Sequence, residues 1–293
     1  MSKPIFTVDT HAEGQRLDNF LLKQRKHVPA GKLYKLIRKG QIRINGKRCR
    51  PATKLSDGDQ VRVPPFIFFA APEKQPDIPV SMVEKLCDRI TWENEDYLVV
   101  NKPPGLAVHT GTGHEYGVIE MLQQQEKYRH ILLAHRLDVV TSGCLLLAKN
   151  RAALLAFQKL LKNRQVKKTY VALLQGELGK ATTVNQPLQE SRIQGIKTAV
   201  VAQDGKSAKT HIEPLAVHSG ITRALCSPVT GRTHQIRAHC AHLRCPIVGD
   251  HQYGATPRPD LSRSVYLHAR QIAFAGFCFE APEPASFKQL LLR

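Results

Sequence analysis

The sequence predicts an α+β protein with two unequal domains, a small basic domain followed by a larger one built on a mixed, mainly antiparallel sheet. Charge is concentrated near the N-terminus, prolines cluster after it, and strand-like and helical segments alternate irregularly from about Ile90. Strand pairs that follow one another without an intervening helix favour an α+β fold over repeated βαβ units. The chain has 293 residues, 42% of them hydrophobic, so it can bury the core that such a fold needs.

The charge balance predicts a polyanionic partner. Lys and Arg number 43 against 24 Asp and Glu, a formal net charge of +19. Such a surplus favours phosphate contacts and counterion release, so nucleic acid is the first expectation and an anionic membrane surface the second. The longest uncharged apolar stretch, 66–72, is far shorter than the roughly 20 residues that a membrane helix needs. We therefore expect no membrane span.

Cysteine usage and the opening residues predict a cytoplasmic location. The seven cysteines are an odd number scattered over a chain too long to need a disulfide scaffold, which suits reduced thiols. The opening MSKPIFTVDT lacks the hydrophobic region of a signal peptide. We therefore expect an unexported cytoplasmic protein, and a monomer.

The first predicted domain is the basic segment 14–65. It holds 14 Lys or Arg and three Asp or Glu, a net charge of +11 out of the total +19. A merely soluble surface normally intersperses both signs, so this concentration favours RNA or DNA binding. Two helices are predicted by apolar residues at helical spacing, namely Leu17, Phe20 and Leu21 in the first and Leu33, Leu36 and Ile37 in the second.

The second predicted helix is the candidate nucleic-acid contact of this domain. Its cations fall mainly on the face opposite the apolar residues, and they are Lys32, Lys35, Arg38 and Lys39. Gly40 is a plausible end for the helix. The alternating segment 41–44, the turn Asn45-Gly46 and the later run 60–63 then predict a hairpin with a further strand.

A linker and a larger domain follow. Five prolines lie within 64–79, a composition that stiffens and extends a chain, so we expect a proline-rich linker over 66–88. In the remaining segment, 89–293, alternation predicts strands at 97–100, 144–148, 169–174, 199–202 and 221–226. Helical spacing appears around Phe157 and across 230–245.

The most informative segment for chemistry is a short polar insert between two apolar runs within 131–147. The carboxylate in it is Asp138. An Asp at the end of a strand can form a turn or act as a nucleophile. From the residues alone both interpretations stay open, and the turn is the commoner one.

A resemblance favours the nucleophile. The insert reads HRLDVVTSG, and it resembles the HRLD-x-x-TSG signature of the RluA family of RNA pseudouridine synthases. Other segments resemble further motifs of that family in the same order, namely NKPPG with Val108-His109 after it, KTYVA at 168–172 and GRTHQIR at 231–237. At the front, GQRLDNFL and KLIRKGQIRINGKR resemble the alpha-L (S4-like) RNA-binding domain, so the resemblance covers nearly the whole chain.

The resemblance implies a fold, a reaction and a substrate. It implies an S4-like domain over 14–65 and a pseudouridine synthase catalytic domain over 89–293. It also implies isomerisation of uridines in large-subunit ribosomal RNA after the target base is flipped out. The rival hypothesis is a non-catalytic RNA-binding or ribosome-assembly protein that keeps the same fold.

The resemblance also implies roles for individual residues. Asp138 is the expected catalytic carboxylate, Tyr170 stacks on the target base, Arg237 pairs with Asp138, and Arg136 helps to displace the base from the RNA. Three more positions in the shared motifs are expected to contact substrate: Lys102, His109 and Arg232.

No cofactor is expected, because isomerisation neither adds nor removes atoms or electrons. Five His and Cys residues crowd 234–245 and suggest zinc at first sight. Their interleaved spacing on one predicted helix differs from the paired spacing of a zinc site. We therefore expect packing residues there and no metal.

Overall fold

The computed structural model describes residues 4–24, 28–68, 77–111, 113–193, 196–257 and 264–291. The chain forms two compact units, 1–77 and 78–293. We call them the N-terminal unit and the C-terminal unit. Within the described ranges, none of the helices has the length and apolar character required to cross a membrane.

The N-terminal unit packs short helices on a small antiparallel sheet. Its helices are α1 (Leu17–Gln24), α2 (Ala30–Arg38) and α3 (Pro65–Phe68). Its strands are β1 (Ile5–Thr7), β2 (Arg43–Ile44), β3 (Lys47–Arg48) and β4 (Gln60–Arg62), in the order β1-β4-β2-β3. The predicted helices and hairpin are confirmed, and the apolar residues that predicted the helices lie in one buried core.

The turn between β2 and β3 shows why the hairpin was predictable. Asn45 and Gly46 have φ values of 49° and 78°. Positive φ at both central residues is the type I′ geometry that matches the twist of paired strands, and Asn-Gly adopts it readily. The cationic helix α2 ends just before Gly40, whose φ of 68° takes the chain out of helical geometry.

Helices occupy both ends of the segment predicted to be a linker over 66–88. Ile67 of α3 is buried in the core of the N-terminal unit. Helix α4 (Val80–Cys87) buries Val83 and Leu86 in the core of the C-terminal unit. The linker prediction is therefore wrong for the ends that form α3 and α4. Proline content alone does not show that apolar residues in the same segment will be buried in a hydrophobic core. Residues 69–76 of that segment lie outside the described residues.

The C-terminal unit is built on one large mixed sheet. Its strands are β5 (Ile90–Glu93), β6 (Tyr97–Lys102), β7 (Leu132–Leu133), β8 (Ser142–Ala148), β9 (Lys167–Gln175), β10 (Thr182–Val184), β13 (Thr210–His218), β14 (Ile221–Pro228), β15 (Leu267–Phe274) and β16 (Phe277–Glu280). The order is β10-β13-β14-β9-β15-β8-β6-β5, with β16 beside β15 and β7 beside β8. Among the strand pairs of the described residues, β15 and β8 alone are parallel, so the predicted mainly antiparallel sheet is confirmed.

The rest of the unit covers this sheet. The remaining strands, β11 (Leu188–Ile193) and β12 (Ile196–Val201), form a separate two-stranded sheet. The remaining helices are α5 (Val118–Leu122), α6 (Arg151–Lys162), α7 (Gln235–His242) and α8 (Ala285–Leu291). Helix α7 is shorter than predicted, because His234 before it has a left-handed φ of 50° and the segment 230–234 is a loop.

Strand β8 positions the loop that holds Asp138. All seven of its residues are buried, and it lies between β6 and β15. Gly143 has φ 107°, and a Cβ at this position would clash with the backbone of Ala269 on β15. Only glycine allows β8 and β15 to approach so closely, which fixes the start of β8 and the loop before it.

Candidate active site

A cavity of about 540 Å³ opens in the C-terminal unit. Its wall brings together three elements that are far apart in sequence: the loop before β8, strand β9 and the start of α7 with the loop before it. Five residues singled out in the sequence line it, namely Arg136, Asp138, Tyr170, Arg232 and Arg237. The loop before β8 and strand β9 lie close together because β8, β15 and β9 are neighbours in the sheet.

Asp138 lies in a tight turn at the edge of this cavity. Its carbonyl oxygen accepts a hydrogen bond of 3.0 Å from the backbone N–H of Thr141, so the residue also forms the turn that its position suggested. Its side chain is 22% exposed, which leaves the carboxylate accessible from the cavity. Turn formation and an accessible carboxylate are thus compatible in this residue.

Lys102, which is expected to contact substrate, is not among the residues that line the cavity. Its side chain is fully buried, and Nζ donates to the carbonyl oxygens of Pro103 (2.9 Å), Leu106 (2.8 Å) and Val139 (3.1 Å). Burial lowers the pKa of this lysine to about 7. Because Val139 directly follows Asp138, these bonds tie the loop that holds Asp138 to the segment 103–106.

Arg237 pairs mainly with a residue that the sequence did not single out. Nε and Nη2 of Arg237 donate to the two carboxylate oxygens of Asp250, each at 2.7 Å. Nη1 lies 4.0 Å from Oδ2 of Asp138, at the outer limit of an ion pair. Arg237 and Asp250 are 4% and 1% exposed, so this is a buried bidentate pair. The expected pairing with Asp138 is therefore the weaker of two contacts.

The Arg237 side chain is held on its remaining sides as well. Nη2 also donates to Oε1 of Gln252 at 2.9 Å, and the guanidinium lies 4.7 Å from the centre of the Tyr253 ring. Gln252 in turn donates to the carbonyl oxygen of Lys197 and to Thr198 Oγ1, each at 2.8 Å. Through these bonds the small sheet of β11 and β12 is tied to the arginine beside Asp138.

Tyr170 is buried on β9 and contributes to the cavity wall. Burial, with a smaller contribution from the charge of Asp138, raises the pKa of its hydroxyl well above the usual value. The side chain is therefore a neutral phenol throughout the physiological pH range. Its ring offers an aromatic surface within the same cavity as the carboxylate.

The remaining sequence-predicted residues lie elsewhere or at the rim. Arg136 and Arg232 are exposed, and Arg232 Nε donates to the carbonyl oxygen of Ser207 at 3.0 Å. His109 is exposed and is not among the cavity-lining residues. Four cations on and directly after α2 are exposed in the N-terminal unit, namely Lys32, Lys35, Arg38 and Lys39. Within the described ranges, no carboxylate lies at ion-pair distance from any of them.

Three of the crowded histidines and cysteines after Thr233 are buried, namely His239, Cys240 and Cys245, whereas His242 is exposed. His239 is fully buried, with Nδ1 at 2.8 Å from Thr210 Oγ1 and Nε2 at 3.0 Å from the carbonyl oxygen of Gln186. Cys240 is buried in the main core. In the part of the chain that the structure describes, no three His, Cys, Asp or Glu side chains are grouped as a metal site requires.

Sequence reasoning missed Asp250, Gln252 and Tyr253. One signal could have found the first of them. Asp250 follows Ile247-Val248-Gly249, and an aspartate next to such an apolar run needs a partner if it is buried. Gly249 has a φ of 79°, and a Cβ there would clash with the backbone of Ser264, which fixes the start of the Asp250 loop.

Comparisons with known proteins agree with this architecture. The family described as RNA pseudouridylate synthase matches residues 96–242, and the S4 domain family matches residues 15–61. The chain is 39% identical over 283 residues to the ribosomal large subunit pseudouridine synthase C of Yersinia pestis, covering 95% of this chain and 88% of that protein. It is 40% identical over 256 residues to the protein of the same name from Escherichia coli K12, covering 86% and 80%.

A solved structure shares the fold. The structure of human RNA pseudouridylate synthase domain containing 4 superimposes with a TM-score of 0.61 at 25% identity, covering 73% of this chain and 95% of that one. The predicted fold class, an S4 domain followed by a pseudouridine synthase domain with a mixed sheet, is confirmed. Because both the family match and the similarity to curated relatives extend over most of the C-terminal unit, the chain belongs to the RNA pseudouridylate synthase family and is an enzyme of that family.

Proposed function

We propose that this protein isomerises uridines to pseudouridine in large-subunit ribosomal RNA. The observation that carries the proposal is the accessible carboxylate of Asp138 in one cavity with the aromatic ring of Tyr170 and the guanidinium of Arg237. The names of the relatives at 39% and 40% identity support the choice of substrate. The basic N-terminal unit supports RNA as the partner.

The reaction requires one bond to break and one to form. The bond between ribose C1′ and uracil N1 breaks, the base turns within the cavity, and C1′ is rejoined to C5. The proton on C5 is removed and N1 ends with a proton, so product and reactant have the same atoms and electrons. This balance requires no redox partner and no group donor.

Asp138 is the proposed catalytic carboxylate in this scheme. Glycosidases generally need two carboxylates, one of which protonates the leaving group. Uracil can hold negative charge on its own carbonyl oxygens and stays in the cavity, so one carboxylate suffices. Arg237, itself held by Asp250, lies on one side of Asp138 and is proposed to orient its carboxylate toward the substrate.

Tyr170 and Arg136 are proposed to handle the flipped base. Extracting a base from its stack costs a few kcal/mol, which contacts in the pocket offset. The buried ring of Tyr170 provides stacking. The exposed Arg136, two residues before Asp138, is placed at the rim where the base would leave the RNA. We further propose that the enzyme acts as a monomer in the cytoplasm, on ribosomal RNA.

The test is to map pseudouridine in large-subunit ribosomal RNA after incubation with the purified protein and, in parallel, with Asp138→Asn. No metal or nucleotide is added. We expect modification at discrete uridines with the wild type and a loss of at least ~10⁴-fold with the variant, as for removal of a catalytic nucleophile elsewhere.

The variant also separates the two functional hypotheses. RNA affinity of Asp138→Asn should be unchanged or tighter, because a negative charge is removed from a surface that binds a polyanion. No modification by the wild type on free RNA or on subunit-assembly particles would overturn the proposal in favour of a non-catalytic RNA-binding protein.

A further inference from the structure

Lys168 is a cavity residue to which the proposed reaction assigns no role. It lies on β9, two residues before Tyr170. Successive side chains of a strand alternate between its faces, so Lys168 and Tyr170 share a face and are about 7 Å apart along the strand. Both line the cavity that contains Asp138. The intervening Thr169 and the preceding Lys167 are not among the lining residues.

The Lys168 ammonium has no anionic partner in the part of the chain that the structure describes. No hydrogen bond or ion pair joins it to any described residue. It lies beside the backbone of Gly231, since a Cβ built on that glycine would be 3.8 Å from Nζ. Burial lowers the pKa of this lysine, and its charge, added to burial, lowers the pKa of the neighbouring His135 to about 3. Lys168 is half-buried, so an anion bound beside it would stabilise its charge.

The wall around Lys168 has a strong excess of positive charge. Among the described residues that line the cavity, Asp138 is the only carboxylate. Six cationic side chains line it, namely Arg136, Lys162, Arg164, Lys168, Arg232 and Arg237. Arg237 is already neutralised by Asp250. The ligand that fits this wall is therefore an anion, and a compact ammonium suits a phosphate as a point charge.

We propose that Lys168 binds the phosphodiester adjoining the uridine that enters the cavity. The proposal rests on the proposed function, because it assumes that a uridine in an RNA strand occupies the cavity. Tyr170 would contact the base of this uridine. Lys168, two residues away on the same face of β9, would contact the neighbouring phosphate of the RNA backbone. This contact anchors the nucleotide on one side of the bond that Asp138 attacks.

The experiment uses a short RNA around one uridine mapped as described above. A set of such RNAs carries a single uncharged methylphosphonate at one of the phosphates flanking that uridine. Binding affinity and single-turnover rate are measured for the wild type, Lys168→Gln and Lys167→Gln. Lys167 is the matched control, since it is the adjacent lysine, is exposed and points away from the cavity face of β9.

For Lys168→Gln we expect roughly tenfold weaker binding of the unmodified RNA, as for loss of a hydrogen bond to a charged group. Its salt slope, the change of log affinity with log salt, should fall by about one. One methylphosphonate should weaken binding by the wild type and by Lys167→Gln and leave binding by Lys168→Gln unchanged. That non-additivity is what a direct contact predicts.

Two results would overturn the inference. One is a Lys168→Gln variant that stays as sensitive as the wild type to every methylphosphonate. The other is that the wild type binds every methylphosphonate RNA as tightly as it binds the unmodified RNA. This second result is obtained with the wild type alone and does not depend on the folding of a variant. The proposed function fails separately, if the wild type forms no pseudouridine in the unmodified RNA. Lys168→Arg keeps the charge, so its RNA binding should still be weakened by the methylphosphonate. If thermal melting shows that Lys168→Gln is unfolded, Lys168→Arg is measured in its place.

Discussion

The exposed surface of α2 and the cavity wall are both rich in Lys and Arg, but one cation of the cavity wall, Arg237, is held differently from those of α2. On α2, Lys35 and Arg38 are exposed, and the described residues place no carboxylate beside them. At the cavity, Arg237 is 4% exposed and fixed by two bonds of 2.7 Å to Asp250. Exposed cations attract a polyanion over a distance and in many orientations, whereas a buried and paired cation defines one geometry. We therefore expect charge to contribute to RNA affinity in the first region and to the positioning of Asp138 in the second.

The largest effect that this comparison predicts is on protein stability. Asp250→Asn removes the anion from a buried pair and leaves Arg237 uncompensated, so we expect a loss of about 3–5 kcal/mol in the free energy of unfolding. Pseudouridine formation should fall as well, because Arg237 is released from its position beside Asp138. Urea denaturation and a single-turnover assay measure the two effects.

An exposed pair is the control for that substitution. Glu126 is 87% exposed and lies 3.4 Å from Arg129 on the same short turn. Glu126→Gln should change the free energy of unfolding by no more than about 1 kcal/mol. Equal losses for the two variants would mean that burial does not distinguish these ion pairs.

The next prediction concerns the pH dependence of Lys102, whose buried amino group bonds to three backbone carbonyl oxygens. Its folded-state pKa is about 7, whereas an unfolded lysine titrates near about 10.4. Between these values the unfolded state binds the additional proton, so this group makes the free energy of unfolding rise with pH. The slope should approach about 1.4 kcal/mol per pH unit.

Lys102→Met provides the comparison, because its side chain is of similar length and carries no charge. Urea denaturation of both proteins at several pH values between 7 and 10 should show the wild type gaining stability relative to the variant. Parallel pH dependences would contradict the lowered pKa. Slower turnover by the variant at constant RNA affinity would support a role of Lys102 in holding the Asp138 loop.

The smallest effect per residue is expected on α2. Replacing Lys32, Lys35, Arg38 and Lys39 with Gln, singly and together, should weaken RNA binding by similar steps. Each removed phosphate contact should lower the salt slope by about one. The single-turnover rate at saturating RNA should stay at the wild-type value, because none of these residues lies in the unit that contains Asp138. A salt slope unchanged in the quadruple variant would show that α2 does not bind the phosphates.

Several features could be predicted from the sequence because they depend on neighbours along the chain. The helix α2 follows from the spacing of Leu33, Leu36 and Ile37, and the hairpin after it follows from Asn45-Gly46. The catalytic motifs led to Asp138, Tyr170 and Arg237, and the fold places all three around one cavity. Their roles in the reaction stay predictions until the variants are measured.

Other features could not be predicted, and Lys102 shows the reason. Its motif suggested a substrate contact, but its ammonium is enclosed by the carbonyl oxygens of Pro103, Leu106 and Val139. Whether a lysine meets solvent, RNA or backbone oxygens depends on which loops fold over it. The extent of the linker was mispredicted for the same reason. Ile67 and Leu86 are buried by residues of the two cores that are distant in sequence, and the local composition does not show those contacts.

The sequence by itself determined the local elements, the concentration of positive charge near the N-terminus and the residue types available for chemistry. These depend on spacing, turn preferences and composition, all of which act over a few residues. Only the tertiary structure decided that Asp250 is the main partner of Arg237, that Lys102 is buried and that Lys168 lines the cavity with no partner among the described residues. Partner choice and burial depend on which distant segments meet in space, and at the short distances of a buried site a few ångströms decide which charges interact.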